Sequence, residues 1–104
     1  MGKVRFEQGD ILRVEKISGP LLVVSKNFFN QSEQAICCPV AAVARPDPLH
    51  ISVATEEIQG VVMCEHMKLL DLKIRGYKKI SSIAYDELVD ITDAIQSIFD
   101  YYPG

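Results

Sequence analysis

The sequence of 104 residues is poor in several features that define other classes of protein. No stretch approaches the ~18 consecutive apolar residues of a membrane-spanning helix. The N-terminal segment Met1–Arg5 also lacks the apolar stretch of a signal peptide. Only three cysteines are present, Cys37, Cys38 and Cys64, and an odd number without a disulfide-framework spacing argues against an oxidised scaffold. These absences predict a cytoplasmic protein in a reducing compartment, without membrane contact.

An excess of positive charge is also missing. The formal net charge is -3 and the pI is near 5.3, so any contact with RNA or DNA must come from a local basic patch. The apolar content of 48% and charged content of 24% are typical of a globular chain, and the length fits a single domain over residues 1–104. A domain of this size buries only about two-thirds of its unfolded surface, so dimerisation is a natural way to bury more.

Metal and cofactor motifs are weak. Cys64 and His66 share a strand face by their period of two, and His50 is a further candidate ligand. Adjacent Cys37 and Cys38 cannot face the same way, however, and no CxxC pair or glycine-rich phosphate loop occurs. We therefore predict no metal and no cofactor, and we expect the cysteines to be small core residues.

Short apolar or alternating runs separated by turn signals predict a barrel of five or more strands rather than a βαβ layer. After Glu65 the pattern loosens into a basic stretch that ends at Lys79. The predicted strands are Ile11–Glu15, Leu21–Ser25, Ala35–Ala44, His50–Val53 and Val61–Cys64.

The last segment has helical spacing, with Ser82 as a candidate N-cap. The predicted fold is therefore mainly β with a C-terminal helix. Its apolar stripe consists of Leu88, Ile91, Ile95, Ile98 and Tyr102.

Several short motifs occur in one order over roughly residues 8–102, and together they resemble the MazF/PemK/Kid toxins of type II toxin–antitoxin systems. The motifs are Gly9-Asp10-Ile11, Pro20–Ser25 followed by Asn27 and Phe29-Asn30, Cys38-Pro39-Val40, Gly60-Val61-Val62, Glu65 and Leu70-Asp71. The resemblance implies an SH3-like barrel, shared with the gyrase poison CcdB, and a homodimer. It also implies a cognate antitoxin as partner and metal-independent endoribonuclease activity on single-stranded RNA.

Two positions depart from the pattern of that family. Gly19 stands where the family usually has an arginine before a proline, and Ala41 stands where it usually has a threonine. Neither side chain can donate a hydrogen bond or carry charge. Other residues must therefore carry the chemistry if the chain cleaves RNA.

The candidate catalytic residues are His50, His66 and Glu65, because imidazoles can transfer protons near neutral pH and a carboxylate can orient them. Each histidine can equally be structural, with its ring bonded to the backbone. Glu65 and His66 are adjacent, and on a strand they would point to opposite faces unless the strand has already ended.

The candidate RNA-binding residues lie in two places. Arg45 follows Ala41, and Lys68 stands where the family commonly has an arginine. Lys73 and Arg75 belong to the basic stretch, which can track an RNA backbone, attract an acidic antitoxin segment or simply be solvated.

Three functions remain open. The first is the toxin of a type II pair, acting as an endoribonuclease with a rearranged site. The second is a non-catalytic member of the fold that binds an antitoxin or a gyrase-like target. The third is an interaction domain unrelated to toxicity.

Overall fold

The computed structural model describes residues 5–99, and within them the chain forms strands, one short helix and one long helix. Tyr102 of the predicted stripe lies outside the described residues. The elements are β1 (Asp10–Val14), β2 (Leu21–Val23), α1 (Asn27–Asn30), β3 (Gln34–Ala41), β4 (His50–Ala54), β5 (Gln59–Met63), β6 (Lys68–Asp71), β7 (Tyr77–Ser82) and α2 (Tyr85–Phe99).

The strands form one curled antiparallel sheet, a half-barrel, with the order β4-β5-β3-β2-β1-β7. β6 lies off this path and pairs with β3, so β3 contacts three strands, β2, β5 and β6. The prediction of a mainly β fold with a C-terminal helix is confirmed.

The sheet is buried on both faces, and β3 separates two apolar cores. Cys37 lies in one core with Leu12, Val14 and Leu70, while Cys38 lies in the other with Ile91 of α2. The alternation of side chains along a strand explains why adjacent cysteines enter different cores. The central strands therefore read as continuous apolar runs.

Two strands were missed by the sequence prediction, because β6 and β7 fall in the basic stretch after Glu65. β7 is an edge strand that pairs only with β1, and Lys78 and Lys79 on it are exposed. Charged residues on an edge strand are common in natural sheets, since they oppose edge-to-edge pairing. Because these residues are polar, β7 lacks the apolar pattern by which a strand is recognised in a sequence.

The prediction of Ser82 as the helix N-cap is wrong. Ser82 is the last residue of β7, and its hydroxyl donates to Asp10 Oδ1 at 2.7 Å. α2 begins three residues later, where the backbone N–H of Ala84 donates to Glu87 Oε1 at 3.1 Å. The other oxygen of Glu87 accepts from the N–H of Ala54 at 3.0 Å, which ties the start of α2 to the end of β4.

Candidate functional site

Two strand ends bring His50 next to Glu65. His50 is the first residue of β4 and lies opposite Met63, the last residue of β5. Beyond Met63 the chain turns, with the N–H of His66 donating to the carbonyl of Met63 at 3.1 Å. Because β5 has already ended, the side chains of Glu65 and His66 need not point to opposite faces of a strand. Both lie on the side of the turn that faces His50.

The ring of His50 is held by two acceptors. Its Nδ1 lies 2.7 Å from the carbonyl of Arg45, and its Nε2 lies 2.8 Å from Glu65 Oε2. Only the imidazolium has a proton on both nitrogens, so this geometry selects the charged form. Accordingly, the carbonyl of Arg45, followed by the carboxylate of Glu65, raises the pKa of His50 above its ordinary 6.5. The side chain is 5% exposed, so substrate has little access to it.

Glu65 lies between the two histidines. The hydrogen bond from His50 lowers the pKa of Glu65 below its ordinary 4.5, with help from the backbone N–H of Glu65 itself. The same oxygen lies 3.7 Å from His66 Nε2. The side chain of His66 is 58% exposed and that of Glu65 is 35% exposed. The structure thus brings the three predicted catalytic residues together, with His66 on the solvent side.

The predicted RNA-binding residues do not form one cluster. Arg45 is exposed in the β3–β4 connection, and its carbonyl belongs to the histidine cluster. Lys68 begins β6 and lines an apolar groove against α2. Lys73 and Arg75 lie in the β6–β7 turn, which closes on Glu15 through an N–H of Glu15 that donates to the carbonyl of Gly76 at 2.9 Å. β6 therefore separates Lys68 from these two cations.

Gly19 and Ala41 lie at the same end of the β2–β3 pair. The N–H of Val40 donates to the carbonyl of Pro20 at 3.0 Å, which sets the two positions side by side. Ala41 pairs with Val61 of β5, and His50 pairs with Met63 of the same strand. Val61 and Met63 are two residues apart, which corresponds to about 7 Å along β5. The histidine cluster is therefore displaced from the end of the sheet where Gly19 and Ala41 meet.

Sequence reasoning missed a second polar feature, next to Gly19. Arg13 of β1 and Lys78 of β7 are direct cross-strand partners, and both line a cleft of about 690 Å³ with Gly19. Arg13 falls in a predicted strand with a wet face, but its partner falls in the strand that the pattern hid. Only the alternation around Arg13 could have signalled an exposed cation there.

The cysteines carry no accessible thiol. Burial raises the pKa of Cys37 and Cys38 to about 12 and that of Cys64 to about 11, and all three are free and fully buried. Cys64 is buried whereas His66 is exposed, so the strand face suggested for them as metal ligands is not shared. Within residues 5–99 no group of three histidine, cysteine or acidic residues is arranged to bind a metal ion. The cysteines are core residues, as predicted.

Neither helix within the described range combines the length and apolarity required to span a bilayer.

Comparison with known proteins identifies the class to which this half-barrel belongs. Residues 7–99 match the family described as PemK-like, MazF-like toxin of type II toxin–antitoxin system. A relative from Escherichia coli (strain K12), the endoribonuclease toxin ChpB, is 32% identical over 103 residues, covering 85% of this chain and 88% of ChpB. The chain therefore belongs to the PemK/MazF-like toxin family.

Solved structures show the same fold. The MazE–MazF complex from Deinococcus radiodurans (Form-I) superposes with a TM-score of 0.83 at 22% identity, over 94% of this chain and 98% of that chain. An endoribonuclease in complex with its cognate antitoxin, from a mycobacterial species, gives a TM-score of 0.80 at 17% identity, over 95% and 100% of the two chains. The predicted family and fold are confirmed.

Proposed function

We propose that this toxin is a metal-independent endoribonuclease that cleaves single-stranded RNA through Glu65 and His66 instead of an arginine–threonine pair. The observation that carries this proposal is the placement of the Glu65 carboxylate between two imidazoles, at 2.8 Å and 3.7 Å. Family membership and the identity to an endoribonuclease toxin support the reaction class.

His66 is the proton-transfer group in this proposal. Its exposed imidazole takes the proton from a ribose 2′-OH, and the 2′-oxygen attacks the adjacent phosphorus. The P–O5′ bond then breaks, and the imidazolium returns the proton to the departing 5′-oxygen. The products are a 2′,3′-cyclic phosphate and a free 5′-OH. The carboxylate of Glu65 stabilises the imidazolium while His66 holds the proton.

His50 has a positioning role rather than a catalytic one. Both of its ring nitrogens are engaged and its side chain is buried, so it fixes Glu65 in place and keeps it ionised. The charge that builds up on the phosphorane requires a cation, and we assign that role to Arg45, next to the cluster, with Lys68 and, further along the RNA, Lys73 and Arg75 as phosphate contacts.

The test is cleavage of a long, mixed-sequence RNA by purified protein in EDTA, with the ends mapped. We expect discrete cuts with 2′,3′-cyclic phosphate ends from the wild-type protein. Replacement of the proton-transfer group, His66→Ala, should lower the rate by about 10²–10⁴-fold. Equal cutting by the His66→Ala protein would contradict the assignment.

The controls separate catalysis from folding. Glu65→Gln should lower the rate, whereas Glu56→Gln, which removes the same charge from an exposed residue elsewhere, should not. His50→Gln should lower the rate only through Glu65, so it should also shift the pH profile of cleavage. A rate loss in His50→Gln with an unchanged pH profile would argue against the positioning role.

The partners proposed from the family are a cognate antitoxin and a second copy of the chain. Two of the structural relatives are a MazE–MazF complex and an endoribonuclease bound to its cognate antitoxin, which supports the first. A groove of about 660 Å³ between α2 and β6, with exposed Leu69, Tyr85 and Phe99 around it, supports the second, because monomers rarely expose large apolar patches. The three free thiols are compatible with the reducing cytoplasm that we propose as its location.

Light scattering tests the homodimer. Leu69→Asp should produce monomers, whereas Ile74→Asp, which places the same charge on an exposed residue of the β6–β7 turn, should leave the dimer intact. A wild-type monomer at micromolar concentration would remove the homodimer from the proposal.

A non-catalytic toxin is the second candidate, and the position of Gly19 beside Ala41 favours it. In that case the fold would act through protein contacts alone, with an antitoxin or a gyrase-like target. An absence of RNA cleavage by folded dimer at high concentration would select this alternative.

A further inference from the structure

Cys38 and Cys64 are neighbours across two strands in the apolar core that contains Ile91. The β3–β5 register pairs Val40 with Val62. Two residues further along the ladder, this register places Cys38 opposite Cys64. The Sγ of Cys38 lies 3.8 Å from the carbonyl oxygen of Cys64, and both side chains are fully buried. The mechanism proposed for RNA cleavage uses neither thiol.

The backbone groups of the two cysteines face away from each other. The N–H of Cys64 donates to the carbonyl of Leu49, on the β4 side, at 3.0 Å. The N–H of Val40 donates to Pro20, on the β2 side, and Cys38 has the same orientation because it lies two residues away on β3. In such a non-hydrogen-bonded pair the Cα atoms are about 4.5 Å apart. A disulfide requires about 4.4–6.8 Å between Cα atoms, so the backbone is already placed to accept one.

Cys37 is not an alternative partner for either thiol. It is adjacent to Cys38 on β3, so its side chain points to the opposite face of the sheet and lies in the other apolar core. The third cysteine therefore serves as an internal reference that remains a thiol when the other two are oxidised.

We propose that Cys38 and Cys64 are a redox pair, which two-electron oxidation joins by a disulfide between β3 and the end of β5. With glutathione disulfide as the oxidant, the Cys64 thiol loses its proton, and its thiolate attacks one glutathione sulfur and releases a glutathione thiolate. The Cys38 thiolate then attacks the Cys64 sulfur of the mixed disulfide and releases the second glutathione thiolate. The two released thiolates take up the two protons that the cysteines lost, so the protein gives up two hydrogens and glutathione disulfide becomes two thiols.

Burial makes this reaction slow in the folded protein. Only thiolates attack disulfides, and burial raises the pKa of Cys38 to about 12 and that of Cys64 to about 11. The first attack therefore takes place when the turn after β5 opens, or before the core closes during folding. The same burial then keeps external thiols away from the finished disulfide, so the oxidised form persists after the oxidant has gone.

The disulfide would anchor the candidate site to the centre of the sheet. Cys64 directly precedes Glu65 in the chain. Its hydrogen-bond partner, Leu49, directly precedes His50. A bond from Cys64 to β3 therefore restrains the turn that carries Glu65 and His66. This inference goes beyond the proposed RNA cleavage, and formation of the bond does not depend on that activity.

The test refolds the protein from guanidinium chloride in a glutathione buffer rich in the disulfide form. Remaining thiols are then labelled with iodoacetamide in guanidinium chloride without a reductant. We expect one label per chain, on Cys37, and a peptide that contains Cys38 linked to one that contains Cys64, whereas protein kept reduced carries three labels. Three labels after oxidative refolding would overturn the proposal, as would a disulfide that includes Cys37 or a second chain.

Matched variants connect the bond to these two cysteines. Cys37→Ala removes an equally buried thiol and should still form the disulfide, whereas Cys64→Ala should retain two free thiols. Oxidised wild type should unfold roughly 10 °C above the reduced protein, because the bond closes a loop of 26 residues. The midpoint of Cys64→Ala should not respond to the oxidant. No rise in wild type, or an equal rise in Cys64→Ala, would contradict a bond that the backbone already accommodates.

Hydrogen exchange measures the effect on the turn. The N–H of His66 donates to the carbonyl of Met63, and the N–H of Glu15 donates to the carbonyl of Gly76 in the β1–β7 part of the sheet. Oxidation should slow exchange at His66 relative to exchange at Glu15. An unchanged ratio would contradict the restraint of the turn. Neither measurement uses RNA, so failure of this proposal and failure of the proposed cleavage are distinguishable.

Discussion

The imidazole of His50 and the carboxylate of Glu65, fifteen residues apart in the chain, form an ion pair 2.8 Å long between the start of β4 and the turn that follows β5. Glu65 stabilises the fold fully above pH 4.5, and its contribution is lost as the pH falls through its lowered pKa. His50 contributes fully below pH 6.5, and its contribution is lost as the pH rises through its raised pKa. The pair is therefore most stabilising between pH 4.5 and 6.5.

We expect this window to be visible in urea unfolding. The difference in unfolding free energy between wild type and Glu65→Gln should be largest within the window and decrease on both sides. The same difference for the control Glu56→Gln, at an exposed residue, should vary little with pH. A constant difference for Glu65→Gln would show that the ion pair does not contribute to stability.

Asp10 has a buried carboxylate, and its side chain should contribute strongly to the stability of the fold. It is 3% exposed and accepts from the Ser82 hydroxyl at 2.7 Å and from the N–H of Glu7 at 2.9 Å, with the half-exposed ammonium of Lys79 at 3.4 Å. Asp10→Ala should lower the unfolding free energy by about 2–3 kcal/mol, because it removes hydrogen bonds to a charged group. Chemical denaturation measures this loss.

The control for Asp10 is Asp93, an exposed aspartate of α2. Asp93→Ala should change the unfolding free energy by less than about 0.5 kcal/mol. A similar cost at both positions would mean that the Asp10 contacts contribute nothing specific.

Two glycines should respond differently to a methyl group. A Cβ at Gly60 would lie 2.6 Å from the carbonyl oxygen of Ala41, a backbone atom that cannot move alone, so Gly60→Ala should cost about 3 kcal/mol. Gly19 has open space but a φ of 81°, so Gly19→Ala should cost only about 1 kcal/mol, from backbone strain. Thermal unfolding of the two variants measures which substitution is more destabilising. A Gly60→Ala protein more stable than the Gly19→Ala protein would contradict the prediction.

The three thiols should not react with alkylating agents in the native protein. Cys37, Cys38 and Cys64 are fully buried with pKa values of about 12, 12 and 11, so neither access nor ionisation favours alkylation at mildly alkaline pH. Mass spectrometry after a short iodoacetamide pulse should find no label under native conditions and three labels in guanidinium chloride. Rapid native labelling at any one of them would show local opening of its core.

The sequence predicts those parts of this fold in which pattern and burial agree. The strands near Ile11, Leu21 and Ala35 are buried, and α2 has a regular stripe around Ile91, so each could be recognised. β6 and β7 could not be recognised, because they lie at the edges of the sheet and carry lysines in place of a regular alternation of apolar and polar residues. Ser82 was misplaced for the same reason, since recognising β7 was necessary to see that Ser82 ends a strand.

The candidate site shows the same limit at the level of side chains. The three residues His50, Glu65 and His66 could be selected by chemical type, but the order among them required the structure. Only the two acceptors around His50 show that it is held fixed and that His66 is the accessible imidazole. The pairing of Arg13 with Lys78 depends on a β-bulge in the β1–β7 register, which has no signal in the sequence.

The position of β3 between two apolar cores has a consequence for folding. Because Cys37 and Cys38 are neighbours in the chain but belong to different cores, sliding β3 by one residue would exchange the contents of both cores at once. Neither core can be exposed to solvent without displacing β3, which also covers the other core. The core strands should therefore lose their amide protection as one cooperative unit, and the amides of β3 should exchange with solvent only through global unfolding.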